Sequence, residues 1–122
     1  MPAKILVVDD DGSIRRLIGH LLQRHGLQFE FAENGAEALE LVRRTVFEAV
    51  LLDLMMPTMN GFDFLDVVRL EKPELLARTI VVTAFSRQGH PPAVDGVFAV
   101  IRKPFDIDNL LDVVDLCLES KQ

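Results

Sequence analysis

The chain has 122 residues, a length that fits one domain, and we expect residues 1–122 to fold as a single unit. Hydrophobic residues make up 49% of the sequence, which excludes the composition of a disordered protein. Nineteen acidic and 13 basic residues give a net charge of −6, which disfavours direct binding to nucleic-acid phosphates. No apolar run approaches the roughly 20 residues that span a bilayer, and the N-terminus lacks a signal-peptide pattern. We therefore predict a cytoplasmic protein without a membrane partner.

Continuous apolar runs alternate along the chain with segments whose apolar residues have the spacing of a helix. Short continuous apolar runs such as residues 4–8 are typical of strands that are buried on both faces of a sheet. Apolar residues spaced three and four apart, as in 14–22, indicate amphipathic helices. The predicted elements in chain order are strand 4–8, helix 14–22, strand 27–31, helix 34–42, strand 49–52, helix 62–70, strand 79–82, strand 97–101 and a final helix after Pro104. This order predicts an α/β fold, a doubly wound five-stranded parallel sheet.

The segment between the fourth and fifth predicted strands departs from this alternation. It contains Ser86, Gly89, Pro91 and Pro92. These residues oppose a long helix, because proline removes a hydrogen-bond donor and clashes with the preceding turn. We therefore predict that the fourth helix of the alternation is short or irregular.

Polar side chains follow four of the five predicted strands. They are, in chain order, Asp9 and Asp10, Asp53, Thr83 and Lys103. Because the carboxyl ends of parallel strands meet at one edge of a sheet, we expect these side chains to lie close together. Carboxylates without a histidine or cysteine cluster favour Mg²⁺ or Mn²⁺ over zinc, and a carboxylate can itself accept a phosphoryl group. The pattern predicts a metal-dependent phosphoryl-transfer site, with Thr83 and Lys103 at the phosphoryl oxygens.

Each of these residues also has an ordinary structural interpretation. An acidic pair after a strand is usually a turn or a helix cap, a lone threonine is usually a strand former, and a lone lysine usually lies on the surface. Asp53 fits such an interpretation least, because it ends a run that should be fully buried. The conjunction of all these residues at four strand ends favours the functional interpretation.

Four motifs together resemble the response-regulator receiver domain of two-component signalling. They are ILVVDDD at residues 5–11, LLDLMMP at 51–57 with Gly61, VVTA at 81–84 and KPF at 103–105. Each motif is weak alone, but their order and spacing are specific, and the resemblance covers essentially the whole chain. It implies the flavodoxin-like receiver fold of the chemotaxis type.

The resemblance implies that Asp53 receives a phosphoryl group from a phosphohistidine of a histidine kinase or phosphotransfer protein. The domain would assist its own phosphorylation and dephosphorylation and would switch the binding of a downstream effector. We therefore expect a signalling domain and not an enzyme. The small Ala84 would keep the entrance of the site open, and the peptide bond between Lys103 and Pro104 is expected to be cis.

The resemblance also implies a metal site. Asp10, Asp53 and the backbone carbonyl of Met55 would bind Mg²⁺ directly, and Asp9 would contribute through a water molecule.

Two regions depart from the family pattern. The family usually has an aromatic residue three positions before the lysine, and this chain has Val100, which is too short and too stiff for an in-or-out swing. Phe98, which we predict to lie on the same strand face, is a candidate replacement. The stretch 86–95 replaces much of the fourth helix, whose surface most dimers of the family use. We therefore expect a monomer, or a dimer through another face.

Met55 and Phe85 flank the expected path of an attacking water molecule. Neither side chain can orient that water or donate a hydrogen bond to it, so we predict slow autodephosphorylation.

The histidines and the cysteine are predicted to have structural roles. His20, His25 and His90 make no convincing metal set, and surface or capping roles suit them better. Cys117 lies in an apolar run and is predicted to be a small buried hydrophobic residue.

Two other functions remain open from the sequence. A phosphohydrolase of the haloacid dehalogenase type also uses an aspartate nucleophile, Mg²⁺ and a lysine, but it places a second acid where this chain has Met55. A receiver that is never phosphorylated could serve as an interaction scaffold, which the altered stretch before Val100 keeps open.

Overall fold

The computed structural model of the chain describes residues 3–86, 88–89 and 94–120. Its elements are β1 (Lys4–Val8), α1 (Gly12–Arg24), β2 (Gln28–Ala32), α2 (Gly35–Arg44), β3 (Ala49–Leu52), α3 (Gly61–Glu71), α4 (Pro73–Leu76), β4 (Thr79–Thr83), β5 (Ala99–Arg102) and α5 (Ile107–Glu119). The strands all pair in parallel, in the order β2-β1-β3-β4-β5. The doubly wound five-stranded parallel sheet is therefore confirmed.

The central strands are buried because helices cover both faces of the sheet. On one face, Leu6 and Val50 pack in a cluster with side chains of α2 and α3. On the other face, Ile5 and Leu51 pack with side chains of α1 and α5. Successive residues of a strand point to opposite faces, so both faces of β1 and β3 have to be apolar. This is why the sequence shows continuous apolar runs there.

The register of the strands positions the residues that follow them. Val8 of β1 pairs with Leu52 of β3, so Asp9 and Asp53 leave the sheet side by side. The pairing of β4 with β5 places Lys103 beside the carboxyl end of β4 in the same way. Residues far apart in the sequence thus meet at one edge of the sheet.

Polar residues fix the starts of the helices that leave this edge. Asp11 caps α1 by accepting a hydrogen bond from the backbone N–H of Ser13 at 2.8 Å. Asn34 caps α2 by accepting one from Glu37 at 2.9 Å. Such caps satisfy backbone donors that have no partner inside the helix.

The chain between β4 and β5 is irregular where the structure describes it. Residues 84–86, 88–89 and 94–98 form no helix, which agrees with the predicted short or irregular fourth helix. His90, Pro91 and Pro92, on which that prediction partly rests, lie outside the described residues. A helix that the sequence analysis did not predict, α4, instead precedes β4, and its first residue is a proline, whose missing donor costs nothing at that position.

The prediction that Phe98 shares a strand face with Val100 is wrong. Val100 packs against the cluster under α2 and α3, whereas Phe98 packs against the cluster under α1 and α5. The reason is a bend at Phe98, just before β5 begins at Ala99, which interrupts the two-residue alternation of a strand.

The cysteine and one histidine have the structural roles that the sequence predicts. Cys117 is fully buried in the core, and burial raises the pKa of its thiol. His25 ends α1 and its Nε2 lies 2.9 Å from a carboxylate oxygen of Asp115 on α5. His20 is exposed. Within the described ranges, no helix has the length and apolar character needed to cross a membrane.

Candidate functional site

Asp53 lies directly after β3, and its carboxylate is buried and held from several sides. The side chain of Thr83 donates a hydrogen bond to Asp53 Oδ1 at 2.9 Å, and the backbone N–H of Met55 donates a second one at 3.1 Å. Lys103 Nζ lies 3.2 Å from Asp53 Oδ2. The backbone N–H of Asp53 donates to the carbonyl of Val8 at 2.9 Å. A buried carboxylate with these partners has one fixed orientation.

Asp9 lies after β1, and its carboxylate, carbonyl and N–H groups all form hydrogen bonds. Its Oδ2 accepts a hydrogen bond from Lys103 Nζ at 2.7 Å, and its Oδ1 accepts one from the backbone N–H of Asp11 at 2.9 Å. The guanidinium of Arg15 donates to its carbonyl oxygen at 2.7 Å. Its own N–H donates to Ala32 at 3.1 Å. Asp9 therefore fixes the turn that carries the neighbouring acids.

For both Asp9 and Lys103, burial and the neighbouring opposite charge shift the pKa in opposite directions. Burial raises the pKa of the Asp9 carboxyl, and the hydrogen bonds from Lys103 and Asp11 only partly offset this effect. Burial alone would lower the pKa of Lys103, but the hydrogen bond to Asp9 and the charges of Asp53 and Asp9 outweigh it and raise that pKa. Lys103 is therefore held as a cation between the two buried carboxylates.

The acidic side chains form a cluster with the chemistry of a divalent-cation site. Ligand oxygens of Asp9, Asp10 and Asp53 all lie within 4.8 Å of one another. Asp10 is exposed, whereas Asp9 and Asp53 are buried. Lys103 supplies one positive charge against three negative ones, so a further cation would relieve the remaining repulsion. A set of hard oxygen donors fits Mg²⁺ or Mn²⁺.

Thr83 connects the acidic cluster to the chain after β4. Its side chain is buried, and its hydroxyl donates to Asp53 while accepting a hydrogen bond from the backbone N–H of Phe85 at 3.1 Å. Ala84, between these two residues, is exposed. A displacement of the Thr83 hydroxyl therefore acts directly on Phe85.

Phe85 and Met55 lie at the rim of the site. Met55 is 55% exposed, and Phe85 is half-buried. The ring of Phe85 packs edge-on against Phe62 of α3, with 5.6 Å between ring centroids. The peptide bond between Lys103 and Pro104 is cis, as predicted.

The structure brings together the five side chains that the sequence predicts at this site, and it adds two, Arg15 and Phe62, that the sequence does not predict. Arg15 was missed although it lies one turn into α1, where a side chain reaches back toward the end of β1. Phe62 was missed because a phenylalanine at the start of a helix has no signal that separates it from other core residues.

Comparisons with known proteins identify the family. A family model described as the response regulator receiver domain matches residues 5–115, and the chain belongs to this family. It is 33% identical to sporulation initiation phosphotransferase F of Bacillus subtilis, over 99% of this chain and 98% of that protein. It is 34% identical to the transcriptional regulatory protein GlrR of Escherichia coli, over 98% of this chain but only 27% of that protein.

A solved structure is similar over nearly its whole length. It is the response regulator protein TrrA of Thermotoga maritima in complex with Mg²⁺-BeF, with a TM-score of 0.84, 32% identity and coverage of 95% of this chain and 99% of that one. The chain is thus a receiver domain of two-component signalling, with the fold that the sequence predicts. Receiver domains act with histidine kinases or phosphotransfer proteins. This chain spans about a quarter of the length of relatives such as GlrR.

Proposed function

We propose that Asp53 is the phosphoacceptor of a receiver domain that extends over residues 1–122. One observation carries this assignment: the buried Asp53 carboxylate contacts both the Thr83 hydroxyl and the Lys103 ammonium beside two further acids. A carboxylate can act as the nucleophile, and a hydroxyl donor and a cation beside it can stabilise the charge of the transferring phosphoryl group.

The proposed reaction takes the phosphoryl group from a phosphohistidine of a histidine kinase or phosphotransfer protein. A carboxylate oxygen of Asp53 forms a bond to phosphorus while the phosphorus–nitrogen bond breaks, and the imidazole leaves with the electron pair of that bond. The ammonium of Lys103 then moves from the carboxylate to a phosphoryl oxygen. The hydroxyl of Thr83 donates to another phosphoryl oxygen, so both groups stabilise charge that the transfer brings into the site.

We propose that Mg²⁺, or alternatively Mn²⁺, occupies the acidic cluster during this reaction. Asp10, Asp53 and the backbone carbonyl of Met55 would bind it directly, and Asp9 would act through water. The support is the oxygen-only donor set and the single lysine charge against three carboxylates. When bound, the ion would supply positive charge that neutralises part of the negative charge of the phosphoryl oxygens during the transfer.

An apolar groove beside Lys103 supports the access of a partner protein. The groove has a volume of about 430 Å³ and is lined by Ile14, Leu17, Ala84, Lys103, Pro104, Phe105 and Ile107. Leu17 and Ile107 are each more than 40% exposed.

We propose that the chain is a signalling domain and not an enzyme, and that phosphorylation switches its binding to a downstream effector.

The decisive experiment is covalent labelling. Acetyl phosphate with Mg²⁺ should add one phosphoryl group, measured by intact mass, and Asp53→Asn should remove the label. Asp66→Asn, which changes an exposed acid of α3, is the matched control and should be labelled normally. A wild-type chain that takes no label with Mg²⁺ would favour the alternative of a non-phosphorylated interaction scaffold. Labelling that persists in Asp53→Asn would show that another residue accepts the group and would contradict the assignment of Asp53.

We also propose a monomer, or a dimer that avoids the face of the family's fourth helix. The support is the irregular course of the described residues 84–86, 88–89 and 94–98. Light scattering of the phosphorylated protein should give the mass of one chain. A stable dimer whose interface maps to the segment between β4 and β5 would contradict the proposal.

A further inference from the structure

The first residue of α2 touches the loop that carries the phosphoacceptor. We call residues 53–60, between β3 and α3, the acceptor loop. The backbone N–H of Gly35 donates a hydrogen bond to the carbonyl oxygen of Met59 at 2.7 Å. Gly35 is buried, so this contact is shielded from competition by water.

There is no room for a side chain at Gly35. A Cβ atom built on it would lie 2.7 Å from the Met59 carbonyl oxygen and 2.8 Å from Met59 Cγ, closer than Cβ contacts in real structures. The Cγ atom belongs to a flexible side chain that can turn away. The carbonyl oxygen belongs to the backbone, so it can move only if the acceptor loop moves.

This contact is a backbone tie between the middle of the acceptor loop and the rest of the domain. Within the described ranges, it is the only backbone hydrogen bond that joins residues 55–59 to another element. At the two ends of the loop, Asp53 is bonded to Val8, Thr83 and Lys103, and Gly61 donates to the carbonyl of Leu54 at 3.0 Å. Met59 also packs against the core cluster under α2 and α3.

We propose that Gly35 is a positioning residue for the acceptor loop: its missing side chain lets α2 hold Met59, and this contact sets the place of the Met55 backbone at the acidic cluster. The proposal rests on the proposed function, because it assumes that the Met55 carbonyl binds the metal. It adds that α2, which contributes no side chain to the cluster, controls metal affinity through the loop.

The test compares Mg²⁺ affinity in variants by isothermal titration calorimetry. Gly35→Ala should weaken Mg²⁺ binding by about fivefold or more, the lower range of coupling between two sites. Alanine is otherwise the better helix residue, so a loss must come from the contact. Equal affinity in a folded Gly35→Ala protein would overturn the proposal.

Gly19→Ala is the matched control for destabilisation alone. A Cβ at Gly19 would lie 2.8 Å from the ring of Phe31 and 2.9 Å from that of Phe29, and Phe29 packs on the face of the sheet opposite to Met59. This variant should lose stability and keep its Mg²⁺ affinity. If its affinity falls as much as that of Gly35→Ala, the effect is general destabilisation and the positioning role is wrong.

A double variant separates the two close contacts. Met59→Ala removes Cγ but leaves the carbonyl oxygen, so Gly35→Ala combined with Met59→Ala should bind Mg²⁺ as weakly as Gly35→Ala. Full rescue in the double variant would assign the effect to the Met59 side chain and overturn the proposal.

The wild-type chain supplies a measurement that does not depend on a variant folding. By linkage, a contact that strengthens Mg²⁺ binding is itself strengthened by Mg²⁺. The Gly35 amide should therefore gain more protection from hydrogen exchange on adding Mg²⁺ than the Gly19 amide, which reports the general stabilisation that a bound ion gives. Equal gains at both amides would contradict the positioning role. Unchanged Gly35 exchange in a protein that binds Mg²⁺ refutes the positioning role alone. A wild-type chain that binds no Mg²⁺ refutes the proposed metal site as well.

Discussion

The carboxyl ends of β1 and β3 differ from the chain that follows β4 in how firmly they are held. Asp9 and Asp53 are buried, and each has several hydrogen-bond partners from separate elements. After β4, Ala84 and Ser86 are exposed, and Gln88 adopts a positive φ of 54°. The residues for chemistry therefore lie at the ends of buried strands, where several hydrogen bonds hold them, whereas the segment that would carry the signal is exposed.

Replacing Lys103 tests how Asp9 and Asp53 are held at the ends of β1 and β3. We expect this substitution to have the largest effect on labelling and stability. Lys103→Met leaves Asp9 and Asp53 buried without their cation, which should abolish Mg²⁺-dependent labelling and cost about 3 kcal/mol of unfolding free energy. Urea denaturation without metal measures the loss. Lys72→Met, on the far end of the domain beside Val42, serves as a control for labelling.

Denaturation of Lys103→Met in the presence of Mg²⁺ gives a second measurement of the same charge effect. A divalent ion replaces the missing positive charge, so it should restore part of the stability that Lys103→Met loses. A variant that is as stable as the wild type without metal would show that the Lys103 contacts contribute little.

The sequence predicts the strand ends and the irregular segment after β4, but not the local bends and loop contacts, for physical reasons. Strands buried on both faces have to be continuous apolar runs, so the ends at Asp9 and Asp53 can be located from pattern alone. The face of Phe98 depends on a bend that no local pattern indicates. The contact of Gly35 with Met59 depends on how two loops meet, which spacing along the chain does not encode.

The lifetime of the phosphoryl group tests the rim of the site. Met55→Asn places an amide, which can orient a water molecule, where the wild-type side chain is apolar and exposed. Loss of the label should become about tenfold faster, which corresponds to about 1.4 kcal/mol in the barrier. The wild-type label should decay slowly in a phosphatase-free sample, and rapid decay there would contradict the role assigned to Met55 and Phe85.

We expect the smallest effect on stability from a change at the contact between α3 and the segment after β4. Phe62 on α3 packs edge-on against Phe85, whose N–H donates to the Thr83 hydroxyl. Because Val100 is too short to follow a moving Thr83, we expect the contact from Phe85 to Phe62 to carry the response out of the site.

Phe62→Leu should therefore leave labelling of Asp53 intact and cost about 1 kcal/mol of unfolding free energy, the range of an aromatic pair. The informative readout is the NMR shift of the Phe85 amide on adding Mg²⁺ and beryllofluoride, which should be large in the wild type and smaller in the variant. Leu70→Ala, at an 86% exposed position of the same helix, is the matched control and should change neither quantity. If the Phe85 amide responds equally in Phe62→Leu, the response does not depend on α3, and Thr83 acts on the exposed segment without this aromatic contact.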